Sequence, residues 1–298
     1  MDATPPESSD PNPGPKTFLV FGDLHGRILP AFRLANCWAK EFHRPLHGIL
    51  QVGDLGYFPN PSRLDNATIR HAKDDPLELG ALDIVAINDL ADSILDDPVA
   101  PPGLWFTAGN HEDFEELERL ALASGKQPDF VVDAYCRVRG IKDGAVATVA
   151  SCRVGAVWGV DRQGRNARRK LPDRGFIQSR AIDRLLVAGR LDVLLTHDAP
   201  LGAKREEYGS ELLSNLIQLA QPQFAFFGHY SGDGAEVEKD YGRTRVFHMA
   251  GFELRESKDR HAETGSVGVL TWNADEPEFE YLSPKWLRTF NRGNWKWR

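Results

Sequence analysis

The sequence has 298 residues, of which 41% are apolar and 27% are charged, a composition typical of a folded globular protein. Its net charge of −7 argues against a general nucleic-acid-binding protein, because such domains are usually basic. The three cysteines form no close pair, which argues against a disulfide framework and favours a reducing compartment. No run reaches the roughly 18 apolar residues of a membrane span. We therefore predict a soluble, cytoplasmic protein without a membrane partner.

The chain is predicted to contain one large domain between two short terminal segments. Residues 1–16 are rich in proline and small polar residues and lack an apolar signal core, which predicts a disordered leader. Residues 17–283 form the predicted domain. Residues 284–298 form a basic and aromatic tail, in which tryptophans alternate with lysine and arginine.

Short apolar runs predict strands along the whole domain. The first three end at Gly22, Gly53 and Gly109, and a helix is predicted from about Pro30 and another over 77–95. A helix with an acidic first turn follows Gly109. Between residues 130 and 160, strands are predicted at FVVDAY, AVATVA and RVGAVWGV. Further strands are predicted at LDVLLTH, at 224–227, at RTRVFHMAG and at SVGVLTW, with helices capped by Ser179 and Ser210. This alternation predicts an α/β sandwich of two sheets flanked by helices.

Polar side chains follow most of these strands, at the sheet edge where ligands gather in α/β proteins. They are Asp23, His25, Asp54, Asn110, His111, His197 and His229. These residues form five short motifs, and each motif alone also fits a turn, a helix cap or a hydrogen-bonded histidine. Five such motifs in order, each after an apolar strand, favour a metal site. The mixed oxygen and nitrogen ligands suit Mn, Fe or Zn better than Ca.

Five stretches of the chain resemble motifs of the calcineurin-like metallophosphoesterase superfamily: GDLHG at 22–26, GD at 53–54, GNHE at 109–112, TH at 196–197 and GH at 228–229. The resemblance covers about residues 17–250. It implies a four-layer α/β sandwich, in which two mixed β-sheets are flanked by helices. It also implies hydrolysis of phosphoesters at a two-metal site.

The resemblance further implies a role for each residue. Asp23 and His25 would bind the first metal, Asp54 would bridge both, and the second would be completed by Asn110, His197 and His229. His111 would be the general acid for the leaving oxygen. The cofactors would be two divalent ions, with Mn or Fe preferred and Zn, Ni or Mg as alternatives. A hydroxide held between two such ions is a nucleophile at neutral pH.

The chain departs from the superfamily at one ligand position. Many members read Gly-His-x-His where this chain has Ser231, and the second histidine binds the first metal. The serine/threonine protein phosphatase branch also lacks that histidine, so water completing the metal shell is the preferred interpretation. An inactivating or engineered change, or replacement by His248 or Asp233, are the alternatives.

A second departure concerns the groups that orient the general acid and bind phosphate. Tyr57 and Phe58 stand where the protein phosphatase branch has an acidic residue and an arginine. His111 therefore needs another partner. Arg162 and Arg165, in a basic loop over 158–170, are the preferred phosphate-binding residues, with Arg27 as a third candidate. The alternative is a solvated basic loop.

The expected substrate is a phosphorylated small molecule, a nucleotide or a phosphoprotein. Residues 196–229 are similar to RNA lariat debranching phosphodiesterases, so a nucleic-acid phosphodiesterase is an alternative. Trp286, Trp295 and Trp297 in the basic tail are typical of a surface that stacks bases, or they dock on the domain. A catalytically silent module that binds metal or nucleotide is a further alternative.

Overall fold

Two mixed β-sheets lie at the centre of the protein. The structure is a computed structural model that describes residues 14–163, 166, 168–230, 237–254, 261–273 and 276–298. Its strands in chain order are β1 (Lys16–Phe21), β2 (Gly48–Gln51), β3 (Leu104–Phe106), β4 (Asp129–Val131), β5 (Val138–Ile141), β6 (Val146–Val149), β7 (Cys152–Val157), β8 (Val193–Thr196), β9 (Phe224–Phe227), β10 (Val237–Tyr241), β11 (Thr244–His248), β12 (Val267–Trp272) and β13 (Glu278–Tyr281).

The two sheets have similar designs. The seven-stranded sheet has the order β13-β12-β1-β2-β3-β5-β4, and the six-stranded sheet has the order β10-β11-β9-β8-β7-β6. The inner strands β1, β2, β3 and β5 pair in parallel, as do β7, β8, β9 and β11. Antiparallel strands form the edges. The carboxyl ends of the parallel strands therefore meet along one edge of each sheet.

The helices cover the outer faces of the sheets. They are α1 (Ile28–Phe42), α2 (Asn66–His71), α3 (Asp89–Leu95), α4 (Phe114–Ala123), α5 (Ser179–Val187), α6 (Glu211–Ala220) and α7 (Pro284–Leu287), with short 3-10 segments at Pro61–Arg63, Pro76–Asp83 and Asp173–Gly175. Among the described residues, no helix has both the length and the apolar character needed to cross a membrane.

Three layers of apolar side chains lie between the four layers formed by the two sheets and the helices on either side of them. Side chains alternate between the two faces of a strand, so in β1 Phe18 and Val20 pack between the sheets, whereas Leu19 and Phe21 pack against the helical side. A third apolar layer joins α5 and α6 to the six-stranded sheet. Burial on both faces explains why the strands read as continuous apolar runs. The predicted four-layer sandwich of two mixed sheets flanked by helices is confirmed.

The long connection between β2 and β3 differs from its prediction. The single helix expected over 77–95 is wrong, because a 3-10 segment (Pro76–Asp83) and α3 occupy this region. Asn88 starts a new helix there, since its side-chain oxygen accepts a hydrogen bond from the N–H of Ala91 at 3.0 Å. Strands β5, β10 and β13 were also not predicted.

Neither serine predicted as a helix cap makes a capping hydrogen bond, although Ser210 occupies the N-cap position of α6. Ser179 is the first residue of α5, and Gln178 occupies the cap position. Ser210 precedes α6, but its hydroxyl donates to Asp161 at 2.5 Å instead of capping the helix. That bond fastens the start of α6 to the loop after β7.

The two ends of the chain pack against the domain where the structure describes them. Strand β1 begins at Lys16, so the described part of the predicted leader already joins the sheet. Residues 1–13 lie outside the described residues. In the tail, Trp295 is 2% exposed and belongs to the core that includes α1, Trp286 packs at its margin, and Trp297 is 81% exposed.

Candidate active site

Loops from both sheets meet at a single point, where the carboxyl ends of β1, β2, β3, β8 and β9 converge. The loops after β1 and β2 are fastened together, because the carbonyl oxygen of Asp54 accepts the N–H groups of Leu24 and His25 at 3.0 and 2.9 Å. The N–H of Gly228, after β9, donates to the carbonyl oxygen of His197 at 3.1 Å. These hydrogen bonds fix the positions of the loops relative to one another.

Two groups of metal-ligand side chains share Asp54. The ligand atoms of Asp23, His25 and Asp54 all lie within 4.8 Å of one another, as do those of Asp54, His197 and His229. Asp54 Oδ2 lies 3.2 Å from His197 Nε2 and 3.9 Å from His25 Nε2. A carboxylate common to two ligand groups is the arrangement expected of a bridging ligand.

The side chain of Asn110, which follows β3, lacks the hydrogen bonds that a buried amide usually makes. Its Oδ1 and Nδ2 atoms are both buried and have no hydrogen-bond partner in the structure. An unsatisfied buried amide is costly, so such a group calls for a specific explanation. The backbone N–H groups of Asn110 and His111 donate to Asp54 Oδ1 at 2.6 and 2.8 Å. The backbone of Asn110 is therefore anchored to the shared carboxylate, and its buried side-chain oxygen is available to an ion.

The loops hold their ligands in strained backbone conformations. His25, Asp54 and His229 have φ values of 42°, 51° and 70°, in the left-handed region that side chains rarely adopt. Strain of this kind persists where the surrounding structure enforces it, often at functional sites. Gly109 and Gly228 permit close approach, since a Cβ on either would lie 2.1 Å from an oxygen of Asp54 or Asp23, respectively.

The electrostatics of the site fit a cation. Burial raises the pKa of Asp23 to about 7 and lowers the pKa of His25 to about 3. Burial alone would also lower the pKa of His197, but Asp54 and Asp23 outweigh it and raise this pKa to about 9. Buried charges of this kind require compensation, and metal binding replaces protons on such ligands. The residues present therefore fit a pair of divalent ions.

Asp65 is the partner of His111. Its Oδ2 atom lies 2.5 Å from His111 Nδ1, while its Oδ1 atom caps α2 by accepting the N–H of Thr68 at 2.7 Å. Burial alone would lower the pKa of His111, but the carboxylates of Asp54 and Asp65 outweigh it and raise that pKa. The sequence signalled only a helix cap at Asp65, because 46 residues separate it from His111.

Glu112, the last residue of GNHE, organises the loop that carries Asp54. Its carboxyl oxygens accept the N–H groups of Leu55 and Tyr57 at 2.7 and 2.8 Å. Burial, aided by the nearby Asp54, raises the pKa of Glu112 to about 8. The Glu112 side chain therefore fixes the loop that carries Asp54 and is not one of the grouped candidate ligands.

The three arginines named from the sequence lie in different places. Arg162 pairs with Asp173, stacks on Phe176 and lines a separate cavity next to α5 and α6. Arg27 is buried and pairs with Asp75 and Glu78 at 2.7 and 3.0 Å, which ties α1 to the connection between β2 and β3. Arg165 lies outside the described residues.

Arg169 lines the cavity at the candidate metal ligands. The cavity has a volume of about 150 Å³, and Thr68 and His71 of α2 form another part of its wall. Arg169 belongs to the basic loop over 158–170, in which Arg162 and Arg165 were the residues predicted to bind phosphate. Local sequence does not distinguish neighbouring arginines of a loop, since the packing of the loop decides which of them faces inward.

The candidates for completing the first metal shell are distributed as follows. Ser231 and Asp233 lie outside the described residues. His248 lies at the end of β11, with its Nδ1 atom 3.0 Å from Lys204 Nζ, and belongs to neither ligand group formed by the described residues. Glu253, which was not considered from the sequence, lines the cavity.

No family model and no curated protein matches the sequence. Solved structures do match it. One is 13% identical, with 90% of this chain and 100% of the other covered and a TM-score of 0.53. The protein TT1561 of Thermus thermophilus is 11% identical, with 90% and 100% covered and a TM-score of 0.51. A conserved uncharacterized protein from Streptococcus pneumoniae, described as a predicted phosphoesterase, is 11% identical, with 93% and 92% covered and a TM-score of 0.38.

The chain therefore shares the fold of the first two of these structures. At these identities the likeness concerns the fold alone, so any chemistry has to be argued from the site.

Proposed function

We propose that the protein hydrolyses phosphoesters at a pair of divalent metal ions. The observation that carries this proposal is the position of Asp54, which is common to two ligand groups and lies next to His111. When bound, the two ions would supply Lewis acidity and a water-derived nucleophile at neutral pH. Oxygen and nitrogen ligands favour Mn or Fe, with Zn, Ni and Mg as alternatives.

The ligands fall into two sets in this proposal. Asp23, His25 and Asp54 hold the first ion, and Asp54 also serves the second ion. Asn110, His197 and His229 provide the remaining ligands of the second ion. The backbone N–H groups that bind Asp54 Oδ1 fix its carboxylate, so its other oxygen faces His197. A ligand held in this way needs no reorganisation when an ion arrives.

His111 donates the proton to the leaving oxygen. Asp65 lies at its Nδ1 atom and orients the ring, which leaves Nε2 for the substrate. The carboxylates of Asp65 and Asp54 raise the pKa of His111 and so favour the protonated, proton-donating form. A general acid has to hold its proton until the leaving oxygen takes it, and this pair of carboxylates shifts the pKa of His111 in that direction.

The cavity favours small phosphorylated substrates. Its volume of about 150 Å³ suits a phosphate group with a modest leaving group, and α2 covers one side. We propose a phosphorylated small molecule as the substrate class, with nucleotides and phosphoproteins as further members. Two of the three tail tryptophans pack against the domain, which leaves Trp297 alone of the three fully open to bases.

A cytoplasmic location belongs to the same proposal. Cys37, Cys136 and Cys152 are all free thiols. Free thiols are typical of reducing compartments. The Mn or Fe preference is compatible with such a setting.

The experiment for this proposal is a hydrolysis assay with metal reconstitution. Metal-free protein should gain activity on p-nitrophenyl phosphate or bis-p-nitrophenyl phosphate when Mn or Fe is added. The ratio of the two activities separates monoesterase from diesterase function. Tight nucleotide binding without product, under every metal tested, would instead support a silent binding module and overturn the proposal.

Asp65→Asn is expected to lower turnover by about 10–100-fold, the usual range for loss of a group that orients a functional histidine. Asparagine keeps the helix cap at Thr68, since asparagine and aspartate cap equally well. The fold and the metal content should therefore stay at wild-type values. Steady-state kinetics and metal analysis check both expectations, and unchanged turnover would remove Asp65 from the mechanism.

Arg169→Gln is expected to lower kcat/KM by about 10–100-fold, because a charge-assisted hydrogen bond to phosphate contributes about 1.5–3 kcal/mol. The loss should fall mainly on KM. Arg168→Gln is the matched control, since Arg168 is its exposed neighbour in the same loop. Equal kinetics for the two variants would contradict a phosphate-binding role for Arg169.

A further inference from the structure

Glu253 lies at the metal-binding edge, in the segment that follows β11. Its side chain is largely buried and lines the cavity together with Asp23, His25 and Asp54. Glu253 Oε1 is 4.0 Å from His25 Nε2, and Asp54 Oδ2 is 3.9 Å from the same nitrogen. The His25 nitrogen therefore lies at nearly equal distances from two carboxylates.

These separations match ligands of a common ion. Metal–oxygen and metal–nitrogen bonds of roughly 2.0–2.2 Å place two ligands of one ion at most roughly 4.3 Å apart. The contacts of His25 with Glu253 and with Asp54, at 4.0 and 3.9 Å, both fall within that limit. Glu253 itself stands outside the group of Asp23, His25 and Asp54, whose ligand atoms all lie within 4.8 Å of one another, so its link to this ion runs through His25. A carboxylate oxygen is also the kind of donor that Mn and Fe accept beside imidazole.

The backbone fixes Glu253 in this position. The N–H of Phe252 donates to the carbonyl oxygen of Asp23 at 2.8 Å, and the N–H of Ala250 donates to Gly265 at 3.0 Å. Phe252 and Leu254, on either side of Glu253, are fully buried in the core next to β1. The segment is thereby attached directly to the loop that carries Asp23 and His25. This packing holds the Glu253 carboxylate toward the site rather than toward solvent.

We infer that Glu253 is a fourth protein ligand of the first metal ion, beside Asp23, His25 and Asp54. The inference rests on the proposed metal pair and identifies a residue of its shell. Glu253 gives the first ion an anionic oxygen ligand in the place where water was predicted, with His248 or Asp233 as alternatives. An added carboxylate offsets more of the charge of the two ions and tightens the first site.

Glu253→Gln is the test variant, and Glu78→Gln is its matched control. Glu78 is a largely buried carboxylate of the same cavity, but its Oε1 atom accepts a hydrogen bond from Arg27 at 3.0 Å. Both changes remove one negative charge at similar depth. Metal-free wild type and both variants are titrated with Mn²⁺, and free Mn²⁺ is followed by electron paramagnetic resonance.

The expected result is selective. In Glu253→Gln one of the two sites should weaken by at least about tenfold, while the other site keeps its wild-type affinity. Glu78→Gln should bind like the wild type at both sites. Should Glu253→Gln fail to fold, as judged by circular dichroism, Glu253→Asp retains the charge on a shorter side chain and should show the same selective loss.

Two outcomes would overturn the inference. Wild-type affinity at both sites in a folded Glu253 variant would show that the carboxylate is not a ligand. Equal losses in Glu253→Gln and Glu78→Gln would show a general effect of charge in the cavity. Failure of the metal pair itself would be seen separately, as absence of Mn²⁺ binding in the wild type.

Discussion

Asp54→Asn is expected to abolish phosphoesterase activity and to weaken both metal sites at once. Asp54 is the one residue common to the two ligand groups formed by the described residues. Two cations roughly 3.5–4 Å apart repel each other strongly, and a bridging carboxylate offsets this repulsion. A neutral amide of the same shape removes that charge without creating a cavity.

The fold should tolerate Asp54→Asn, because the amide oxygen still accepts the N–H groups of Asn110 and His111. The matched control is Asp113→Asn, since Asp113 is also buried near the site but pairs with Arg63 at 2.6 Å. Metal analysis and kinetics on both variants test the expectation. Loss of one ion alone, or activity equal to that of the control, would show that Asp54 does not bridge.

His111→Gln is expected to lower turnover by roughly 10²–10⁴, the usual range for loss of a general acid. The ring lies beside the ligands, 5.7 Å from the His25 ring between centroids, and is held by Asp65 rather than by a ligand group. Metal content should therefore stay at the wild-type value. Turnover of esters with good leaving groups should fall less, because such groups depart without a proton.

Kinetics on p-nitrophenyl phosphate and phenyl phosphate, together with metal analysis, check the role of His111. A larger defect with phenyl phosphate would support proton donation, since phenol is the poorer leaving group. Loss of a metal from His111→Gln, or equal defects with both esters, would contradict it.

The sequence indicated that the candidate ligands would lie together, because each one closely follows a recognisable strand. Apolar runs that end in a polar turn place Asp23, Asp54 and His197 at carboxyl ends of strands, and parallel pairing brings such ends together. Local patterns and topology were therefore sufficient for this part of the site. They were also sufficient for the two-sheet architecture.

The remaining site residues depend on tertiary packing that no local pattern describes. Asp65 reaches His111 from the connection between β2 and β3, and Glu253 reaches His25 across more than 200 residues of chain. The direction of Arg162 is set by Asp173 and Phe176. The missed strand β10 reads VEKDY and lacks the apolar run that identifies inner strands.

The measurement that tests the central claim most directly is electron paramagnetic resonance of the wild-type protein loaded with Mn²⁺. Two ions roughly 3.5–4 Å apart, as in two-metal hydrolytic sites, are magnetically coupled. We predict binding of two equivalents per chain and the spectrum of a coupled pair. Saturation at one equivalent, or two ions with the spectrum of isolated Mn²⁺, would contradict a bridged metal centre at Asp54.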